Sequence, residues 1–428
     1  MRLPHRVRRS RALGRRSWPI LALALAVAAL LAGGADRPAS AQGKTITLSM
    51  LAGFKEDVLR ANLPEFEKKT GIKVQIDAAP IGDLYKKQLL SLSTAARYDA
   101  VFMDEPWIPP LSEFLLPLTE RARGYDMSDF VPTALAAGAF QGVQYALPVD
   151  PNMQLLVYRK DLFDQKGLKP PATWDELLAD AKAFTDPAKE QYGIAVTASS
   201  DIQTCLYMLV SMWSQGAELV TADGKGGVNT PAGRKGAEIY LELLKFAPPN
   251  VRSYTFPDVN KAIQTGQAAM AIQWASGAKP MEDPTRSTVA GKLGYTLVPK
   301  AVRQTPMRGV WTIGIAKNSS NQDAAWEFAK WFSSKEFGLA ATKFPSASSA
   351  IHSPRVSVLE DPGTKAALPY VDALLASLKV AKERPRLREF ADIQEHFRIT
   401  AGKLTAGELT LDAALKEIDA GTNRILGK

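Results

Sequence analysis

The sequence predicts an α/β protein built from two domains, between which the chain crosses more than once. Its 428 residues exceed the size at which one hydrophobic core usually stops growing. Near the start, residues 46–51, 56–70 and 72–77 have the patterns of a strand, a helix and a strand, which together form a right-handed βαβ unit. Further along, the stretch 145–163 has the features of a crossing between domains.

This crossing stretch has the sequence YALPVDPNMQLLVYRKDLF. Short apolar strands are predicted at 145–147 and 155–158. Between them, Pro148 and Pro151 flank Asp150. Because proline removes an amide donor and fixes φ, the pattern is typical of a strand that leaves its sheet. An ordinary bulge in an edge strand would explain the same residues.

The basic charge of the chain lies in its first 41 residues. The formal net charge is +9, but residues 1–41 hold eight arginines and one acid, so the rest is nearly balanced. The arginines precede an apolar run at 20–31 and the small residues Ala39-Ser40-Ala41, which predicts a secretory signal peptide cleaved near Ala41. The pair Arg15-Arg16 leaves the general and the twin-arginine export routes both open. Nothing in the charge pattern favours a nucleic-acid partner.

Cysteine and histidine are scarce. Cys205 is the single cysteine, so the chain has no internal disulfide and no lipid-anchored cysteine at its mature N-terminus. This favours a bacterial periplasm over a Gram-positive cell surface. Only His352 and His396 follow the leader, too few for a metal cluster or histidine-based catalysis. We therefore expect no cofactor and no metal.

A series of segments covers nearly all of residues 44–428. In order they are FEKKTGIKV (66–74), YDAVFMD (98–104), the crossing stretch, PPATWDELLADAKAF (170–184), GQAAMAIQW (266–274), SSNQDAAWEFAKWFSS (319–334), SPRVSVL (353–359) and the C-terminal helices (385–426). This ordered set resembles the extracellular solute-binding proteins of family 1, the sugar-binding subunits of bacterial ABC importers. One departure is Arg308, since many members have Gly-Gly-Trp where this chain has Arg308-Gly309-Val310-Trp311.

The resemblance implies an α/β clamshell of two lobes with three interdomain crossings, closing on a ligand in the cleft. The second crossing would be GVWTIGIA at 309–316 and the third would lie within 345–362. The lobes would take 42–149 with 312–355, and 150–311 with 356–428.

A sugar site needs aromatic rings for the C–H faces of the ligand and polar groups for its hydroxyls. In α/β sheets such sites lie off the carboxyl ends of strands. The candidates that follow strands or lie in crossings, several of them at positions the family uses, are Phe54, Asp104, Glu105, Trp107, Asp150, Asn152, Gln273, Trp274, Arg308 and Trp311. Three groups of these candidates have a structural alternative. It is a helix cap and a packing indole at 104–107, hinge bracing at 150–152, and a core tryptophan with a solvated arginine at 308–311.

Other conspicuous residues have structural interpretations. Tyr207 and Trp213 have helical apolar spacing and are predicted to be core residues. Arg355 is expected to tie down a connection by ion pairing. The segment 224–227 is glycine-rich but lacks the phosphate-loop pattern, so it is predicted to be a surface turn.

The leading hypothesis for function is a monomeric periplasmic receptor, not an enzyme. It would capture a carbohydrate or polyol, possible anionic derivatives included, and dock on an ABC permease in the inner membrane. Arg308 mildly favours an anionic ligand. The alternative is a secreted glycoside hydrolase using carboxylates such as Asp104 and Glu105, although neighbours on one strand do not by themselves span a glycosidic bond, which requires about 5–9.5 Å.

Overall fold

The computed structural model describes residues 43–94, 97–345 and 350–428. The predicted signal peptide lies outside the described residues, and so does part of the predicted third crossing, residues 346–349. The strands are β1 (Thr45–Leu51), β2 (Lys73–Ala79), β3 (Ala100–Asp104), β4 (Ala139–Phe140), β5 (Val143–Gln144), β6 (Ala146–Arg159), β7 (Tyr192–Ala195), β8 (Ala268–Trp274), β9 (Leu293–Leu297) and β10 (Arg308–Ile315).

Helices surround these strands. In the first half of the chain they are α1 (Phe54–Thr70), α2 (Ile81–Ser93), α3 (Ile108–Leu111), α4 (Pro132–Ala137), α5 (Lys160–Lys166), α6 (Trp174–Ala183) and α7 (Ile202–Ser214). In the second half they are α8 (Pro231–Leu243), α9 (Phe256–Gln264), α10 (Ala278–Met281), α11 (Gln322–Phe332), α12 (Lys335–Lys343), α13 (Val356–Leu359), α14 (Pro362–Ala367), α15 (Val371–Lys379), α16 (Phe390–Ala406) and α17 (Leu411–Ile425). In the described part of the chain, no helix is long and apolar enough to cross a membrane.

Within the described residues, every strand except the hairpin β4–β5 belongs to one eight-stranded sheet. Its order is β2-β1-β3-β10-β6-β8-β7, and β9 also pairs with β6. The strand β1 runs parallel to β2, as the βαβ prediction requires, and parallel to β3. The strand β10 is antiparallel to both β3 and β6. These two central strands therefore connect the halves of the sheet.

The predicted crossing stretch forms one continuous strand, β6, so the expectation of two strands separated by prolines was wrong. Between Pro148 and Asp150 the pairing with β10 shifts, which leaves Val149 as an extra residue. Of the described strands, only β10 pairs with this part of β6, so an edge free of ladder bonds remains where the prolines lack amide donors. Residues 154–159 then pair with β8 and β9. The strand bulges and also passes from one half of the sheet to the other.

Short-range signals set the helix ends as predicted. The Thr173 hydroxyl accepts the Glu176 amide, and the Glu176 carboxylate accepts the Thr173 amide at 2.9 Å, which is the capping box at the start of α6. Gly71 ends α1 with φ of 75°, a left-handed conformation that suits glycine.

Two large hydrophobic cores occupy the two halves. The first is formed by residues from 46–149 and 311–351, and the second by residues from 156–307 and 390–418. A smaller cluster, which includes residues from α4 and α15, contacts β6 and β10 where they join the halves. The distribution agrees with a two-domain organisation, while the domain boundaries given above stay a prediction.

The remaining structural interpretations have mixed outcomes. Tyr207 and Trp213 are buried in α7, as expected. Residues 224 and 225 bend next to a turn at 222–223, whereas Gly227 is buried, so the predicted surface turn includes only the first part of the segment 224–227. The expected ion pair of Arg355 is absent from the described residues; instead its guanidinium donates to the Ser333 and Asp126 carbonyls and lies 3.7 Å from the centre of the Phe130 ring. Arg355 therefore ties its connection down through backbone and ring contacts.

The fold makes a matched stability prediction for two leucines. Leu156 on β6 is fully buried in the second core, whereas Leu90 on α2 is 67% exposed. Leu156→Ala should lower the free energy of unfolding by about 2–5 kcal/mol, because it leaves a cavity. Leu90→Ala should change it by no more than about 0.5 kcal/mol. Urea denaturation followed by circular dichroism measures both, and equal losses would contradict the assignment of β6 to the core.

Candidate ligand-binding cleft

A cleft of about 500 Å³ opens where several strands of the sheet end. Its walls include Leu51 at the end of β1, Asp104 at the end of β3 and Trp274 at the end of β8. Asn152 of β6 and Trp311 of β10 contribute from the two strands that join the halves. The cleft therefore lies at the strand ends and crossings from which the candidate residues were chosen.

Trp311 forms part of an aromatic stack in one wall. Its ring lies parallel to the Phe102 ring, with centroids 5.0 Å apart and planes 7° apart. Trp107 meets Trp311 edge-on at 84°, and Tyr85 contacts Trp107 in turn. Trp107 does not line the cleft. It is buried behind Trp311, where it holds that indole in place.

Trp274 is oriented by two contacts on the opposite wall. Its indole N–H donates to Gln203 Oε1 at 2.6 Å. Its six-membered ring lies on the backbone of Gly309, where a Cβ atom would come within 2.6 Å of the ring carbon Cζ3. A side chain at position 309 would therefore displace the indole, which is why glycine is needed there. Phe54 and Phe256 add further aromatic surface to the cleft.

The polar part of the cleft is centred on Asp104 and Arg384. Both terminal nitrogens of Arg384 donate to the two Asp104 oxygens, at 2.7 and 2.6 Å. The Glu105 amide donates to the same carboxylate at 3.0 Å. Burial alone would lower the pKa of Arg384, but Asp104 raises it, so the guanidinium stays charged. A bidentate pair of this kind gives fixed, charge-assisted hydrogen-bonding positions.

Glu105 and Arg308 form a second ion pair behind the first. Arg308 donates to Glu105 at 2.8 Å and to Glu383 at 2.6 Å, and neither Glu105 nor Arg308 lines the cleft. Burial raises the pKa of Glu105, although Arg308, Arg384 and Arg386 oppose this shift. Arg386 also donates to the Glu105 carbonyl at 3.1 Å. The segment 383–386 is thereby fastened to the end of β3.

Asp150 is the centre of a buried network under the cleft. Lys55, at the start of α1, forms an ion pair with its carboxylate. The backbone amide and the ring Nδ1 of His352 both lie 2.9 Å from Asp150 Oδ1, and His352 Nε2 lies 3.2 Å from the Tyr370 hydroxyl. Burial opposes the charge of Asp150, but Lys55 and His352 outweigh it and hold the pKa at about 2. Asp150 is fully buried, whereas Lys55 also lines the cleft.

Asn152 and Gln273 have different positions. Asn152 lines the cleft and exchanges two hydrogen bonds with Ser276, at 3.1 and 3.0 Å. Gln273 is fully buried, accepts from the Tyr207 hydroxyl at 2.5 Å and donates to Asn260 at 2.8 Å. Gln273 therefore supports the end of β8 from behind.

The structure thus brings five of the ten candidates to the cleft wall. Those lining it are Phe54, Asp104, Asn152, Trp274 and Trp311. Those lying behind it are Glu105, Trp107, Asp150, Gln273 and Arg308. Direct ligand contact by any of the ten stays a prediction. Each of the five residues behind the cleft contacts either a residue that lines it or a residue bonded to one that does.

Sequence reasoning did not select Lys55, Gln203 or Arg384, although all three line the cleft. Lys55 follows the chosen Phe54 directly, so the strand-end rule could have found it. Arg384 lies just before the C-terminal helices, in a segment with no strand to indicate its place. Gln203 had no signal, since it is a polar residue at the start of an apolar helix.

Comparison with known proteins identifies the family of the chain. The sequence model of the bacterial extracellular solute-binding proteins matches residues 50–338. The chain belongs to this family. As a class, members of this family bind solutes and are not enzymes. The solved relatives confirm the expected two-lobed fold.

Three relatives illustrate the similarity. An ABC transporter solute-binding protein from Agrobacterium radiobacter K84, solved with ribitol, is 29% identical with a TM-score of 0.80, covering 90% of this chain and 99% of that one. One from Agrobacterium vitis S4, solved with D-mannitol, is 25% identical with a TM-score of 0.80, covering 90% and 98%. The mannitol-binding protein of Pseudomonas aeruginosa is 25% identical over 354 residues, covering 78% of this chain and 79% of its own length.

The buried network predicts how acid affects this solute-binding protein. The pKa of Asp150, about 2 in the folded protein, lies below its value of about 3.9 in an unfolded chain. The stabilisation is therefore complete above about pH 4 and is lost as the pH falls toward 2, a change of about 2.5 kcal/mol. Asp150→Asn should remove this pH-dependent part. At neutral pH it should cost about 3–5 kcal/mol, because Lys55 is left buried without its partner.

The measurement is urea unfolding between pH 2 and pH 7, with Asp223→Asn as the matched control. Hydrogen bonds from Lys225 and Thr221 also lower the pKa of Asp223, but its carboxylate is exposed on a turn. Because solvent screens such an exposed pair, its pKa shift should be small, and this control should change the acid limb much less than Asp150→Asn does. An Asp150→Asn curve parallel to the wild-type curve at every pH would contradict the prediction.

Proposed function

We propose that this protein captures a hydroxyl-rich small molecule, a carbohydrate or polyol, in its cleft and delivers it to an ABC permease. The observation that carries the proposal is the cleft itself, where Trp274 and Trp311 provide apolar faces beside the Asp104–Arg384 pair. Aromatic faces suit the C–H surfaces of such ligands, and fixed carboxylate and amide groups suit their hydroxyls.

The relatives narrow the choice of ligands to test. Two solved relatives hold the polyols ribitol and D-mannitol, and the Pseudomonas relative is named for mannitol. These molecules share a linear carbon chain with a hydroxyl on each carbon. Linear polyols of five and six carbons are therefore the first probes for this cleft.

In the proposed site, the five lining candidates contact the ligand directly. Lys55, Gln203, Ser276 and Arg384 join them, since they line the same walls. Glu105, Trp107, Asp150, Gln273 and Arg308 act from behind by fixing the orientation of these side chains. The lobes follow the boundaries predicted from the sequence, a division that is consistent with the separate cores.

The proposal includes location and partners. The leader at residues 1–41 directs export to the periplasm and is removed near Ala41. The mature chain acts as a monomer, and its ligand-bound form docks on the permease in the inner membrane. Ligand shifts the population toward the docking-competent arrangement because it binds that arrangement more tightly.

The hydrolase alternative has less support. A glycosidase needs two carboxyl groups that flank the scissile bond. Among the described residues that line the cleft, Asp104 is the only carboxylate, and Arg384 engages both of its oxygens. Glu105 is fully buried and faces Arg308. Sustained release of chromophore from nitrophenyl glycosides would favour the hydrolase over the receptor.

Thermal melting tests the receptor function. At a hundredfold excess over Kd, a ligand stabilises the folded protein by about 2.7 kcal/mol, which corresponds to a rise in Tm of several degrees. We expect such a rise with ribitol, D-mannitol or a related sugar. No shift across a panel of pentitols, hexitols and mono- and disaccharides would contradict the proposal.

A glycine substitution tests whether this cleft is the site. Gly309→Ala should weaken binding by about tenfold or more, equivalent to ~1.4 kcal/mol, because its Cβ would displace the Trp274 indole. Gly82→Ala is the matched control, since a Cβ there meets no atom within 4 Å. Titration calorimetry with the ligand found by melting gives both affinities. Unchanged affinity in a folded Gly309→Ala protein would place the ligand elsewhere.

A further inference from the structure

We propose that residues 384–388 form an arginine strap, which fastens the second half of the protein to the first and sets how far the cleft is open before a ligand binds. The inference rests on the proposed function, because it concerns a receptor that closes on its ligand. The strap lies outside the three predicted crossings. It joins the halves through side chains, whereas the crossings join them through the chain itself.

The backbone of the strap belongs to the second half. Its sequence is Arg-Pro-Arg-Leu-Arg, and residues 384–387 form neither helix nor strand. Leu387 packs against the second core, and Phe390, where α16 begins, is part of that core. The three arginines instead contact residues 104–139, which precede β6. The strap therefore rests on one half and reaches the other.

Arg384 makes the first of these attachments inside the cleft. Both of its terminal nitrogens donate to Asp104, at 2.7 and 2.6 Å. Asp104 ends β3, a strand whose residues 100–103 belong to the first core. Both side chains line the cleft. The Asp104–Arg384 pair thus joins the two halves at the wall where a ligand would lie.

Arg386 makes the second attachment, away from the cleft wall. It donates to the carbonyl oxygens of Glu105 at 3.1 Å and Ala137 at 2.9 Å, and also to that of Ala139. These carbonyls lie just after β3, at the end of α4 and in β4. The donors of a guanidinium are fixed in a planar fork, so one arginine can hold several acceptors at once. Arg386 does not line the cleft.

Arg388 makes the third attachment at the surface. It forms an ion pair with Glu113 at 2.8 Å, in which the side chains are 51% and 57% exposed. Exposed pairs of this kind contribute little, because water screens them. The strength of the strap therefore lies in its two inner arginines, and Arg386 is the one that can be altered without changing the cleft wall.

Contacts between the halves stabilise the arrangement in which they form. Ligand affinity falls in proportion when a smaller fraction of the free protein has the binding-competent arrangement. The strap holds the halves together in the absence of ligand and so raises this fraction. Arg386 is thus a positioning residue, which strengthens binding without touching the ligand.

Distances between spin labels on the two halves test the strap without any ligand. The labels are attached at Leu90→Cys on α2 and Val302→Cys before β10, two exposed positions. The native Cys205 is fully buried, and burial raises the pKa of its thiol, so it should not react. In Arg386→Gln we expect the electron–electron distance distribution to shift away from that of the ligand-free protein with the native strap. Saturating D-mannitol or ribitol should restore it.

Calorimetry with the same polyol measures the effect on affinity. Arg386→Gln should raise Kd about tenfold, the equivalent of one lost charge-assisted hydrogen bond. Arg398→Gln is the matched control, since Arg398 donates to the Ser200 carbonyl at 2.6 Å within the second half. It removes the same charge and should change Kd by less than about twofold. Arg386→Lys keeps the charge but loses the fork, so it should also weaken binding.

The outcomes separate the strap from the receptor function. Unchanged label distances and affinity in folded Arg386→Gln and Arg386→Lys proteins would overturn the strap and leave the receptor function standing. Equal changes in Arg386→Gln and Arg398→Gln would also overturn it, because overall charge would then be the cause. If no carbohydrate or polyol binds the wild type, the receptor function fails, while the ligand-free distances still decide whether the strap holds the halves. Circular dichroism verifies folding, and Arg386→Lys is the milder variant if Arg386→Gln does not fold.

Discussion

The structure depends on the buried ion pair between Lys55 and Asp150. Asp150 lies on β6, the strand that runs through both halves of the sheet, and pairs in register with Trp311 of β10. Its carboxylate also holds the backbone of His352, on the segment predicted as the third crossing. Through its carboxylate and its strand pairing, Asp150 thus connects the three segments that the sequence predicts to be crossings. A buried pair of this kind fixes one arrangement of its surroundings even where its net contribution to stability is small.

The same pair connects the hinge region to the cleft. Lys55 lines the cleft and lies 4.9 Å from the centre of the Phe54 ring and 5.9 Å from that of Trp311. A ligand placed against Trp311 would therefore lie next to the side chain that anchors Asp150. In the proposed receptor, closure about the predicted crossings and contact with the ligand would therefore involve the same residues, Lys55 and Trp311 among them.

The sequence was informative where neighbours along the chain decide the outcome. The βαβ unit, the capping box of α6 and the position of Trp274 at the end of β8 follow from local pattern, and the structure has all three. It was less informative where distant residues meet. The partner of Asp104 is 280 residues away, and no local pattern indicates that Arg384 faces it. Similarly, the prolines of β6 suggested a break in the strand. The sequence of β6 does not indicate that this part of the strand pairs with one neighbour only, which is why the prolines are tolerated there.

Pairing between distant residues also explains how charged side chains of both signs can lie together at the cleft. Uncharged amides and hydroxyls would bind sugar hydroxyls too, but they rotate more freely and form weaker hydrogen bonds than ionised groups do. Fixing Asp104 against Arg384 provides strong acceptors in a set orientation, while the guanidinium cancels the charge at longer range. The cost is a desolvated ion pair, which the second pair of Glu105 and Arg308 supports from behind. The pairing thus combines directional hydrogen-bonding groups with a small net charge.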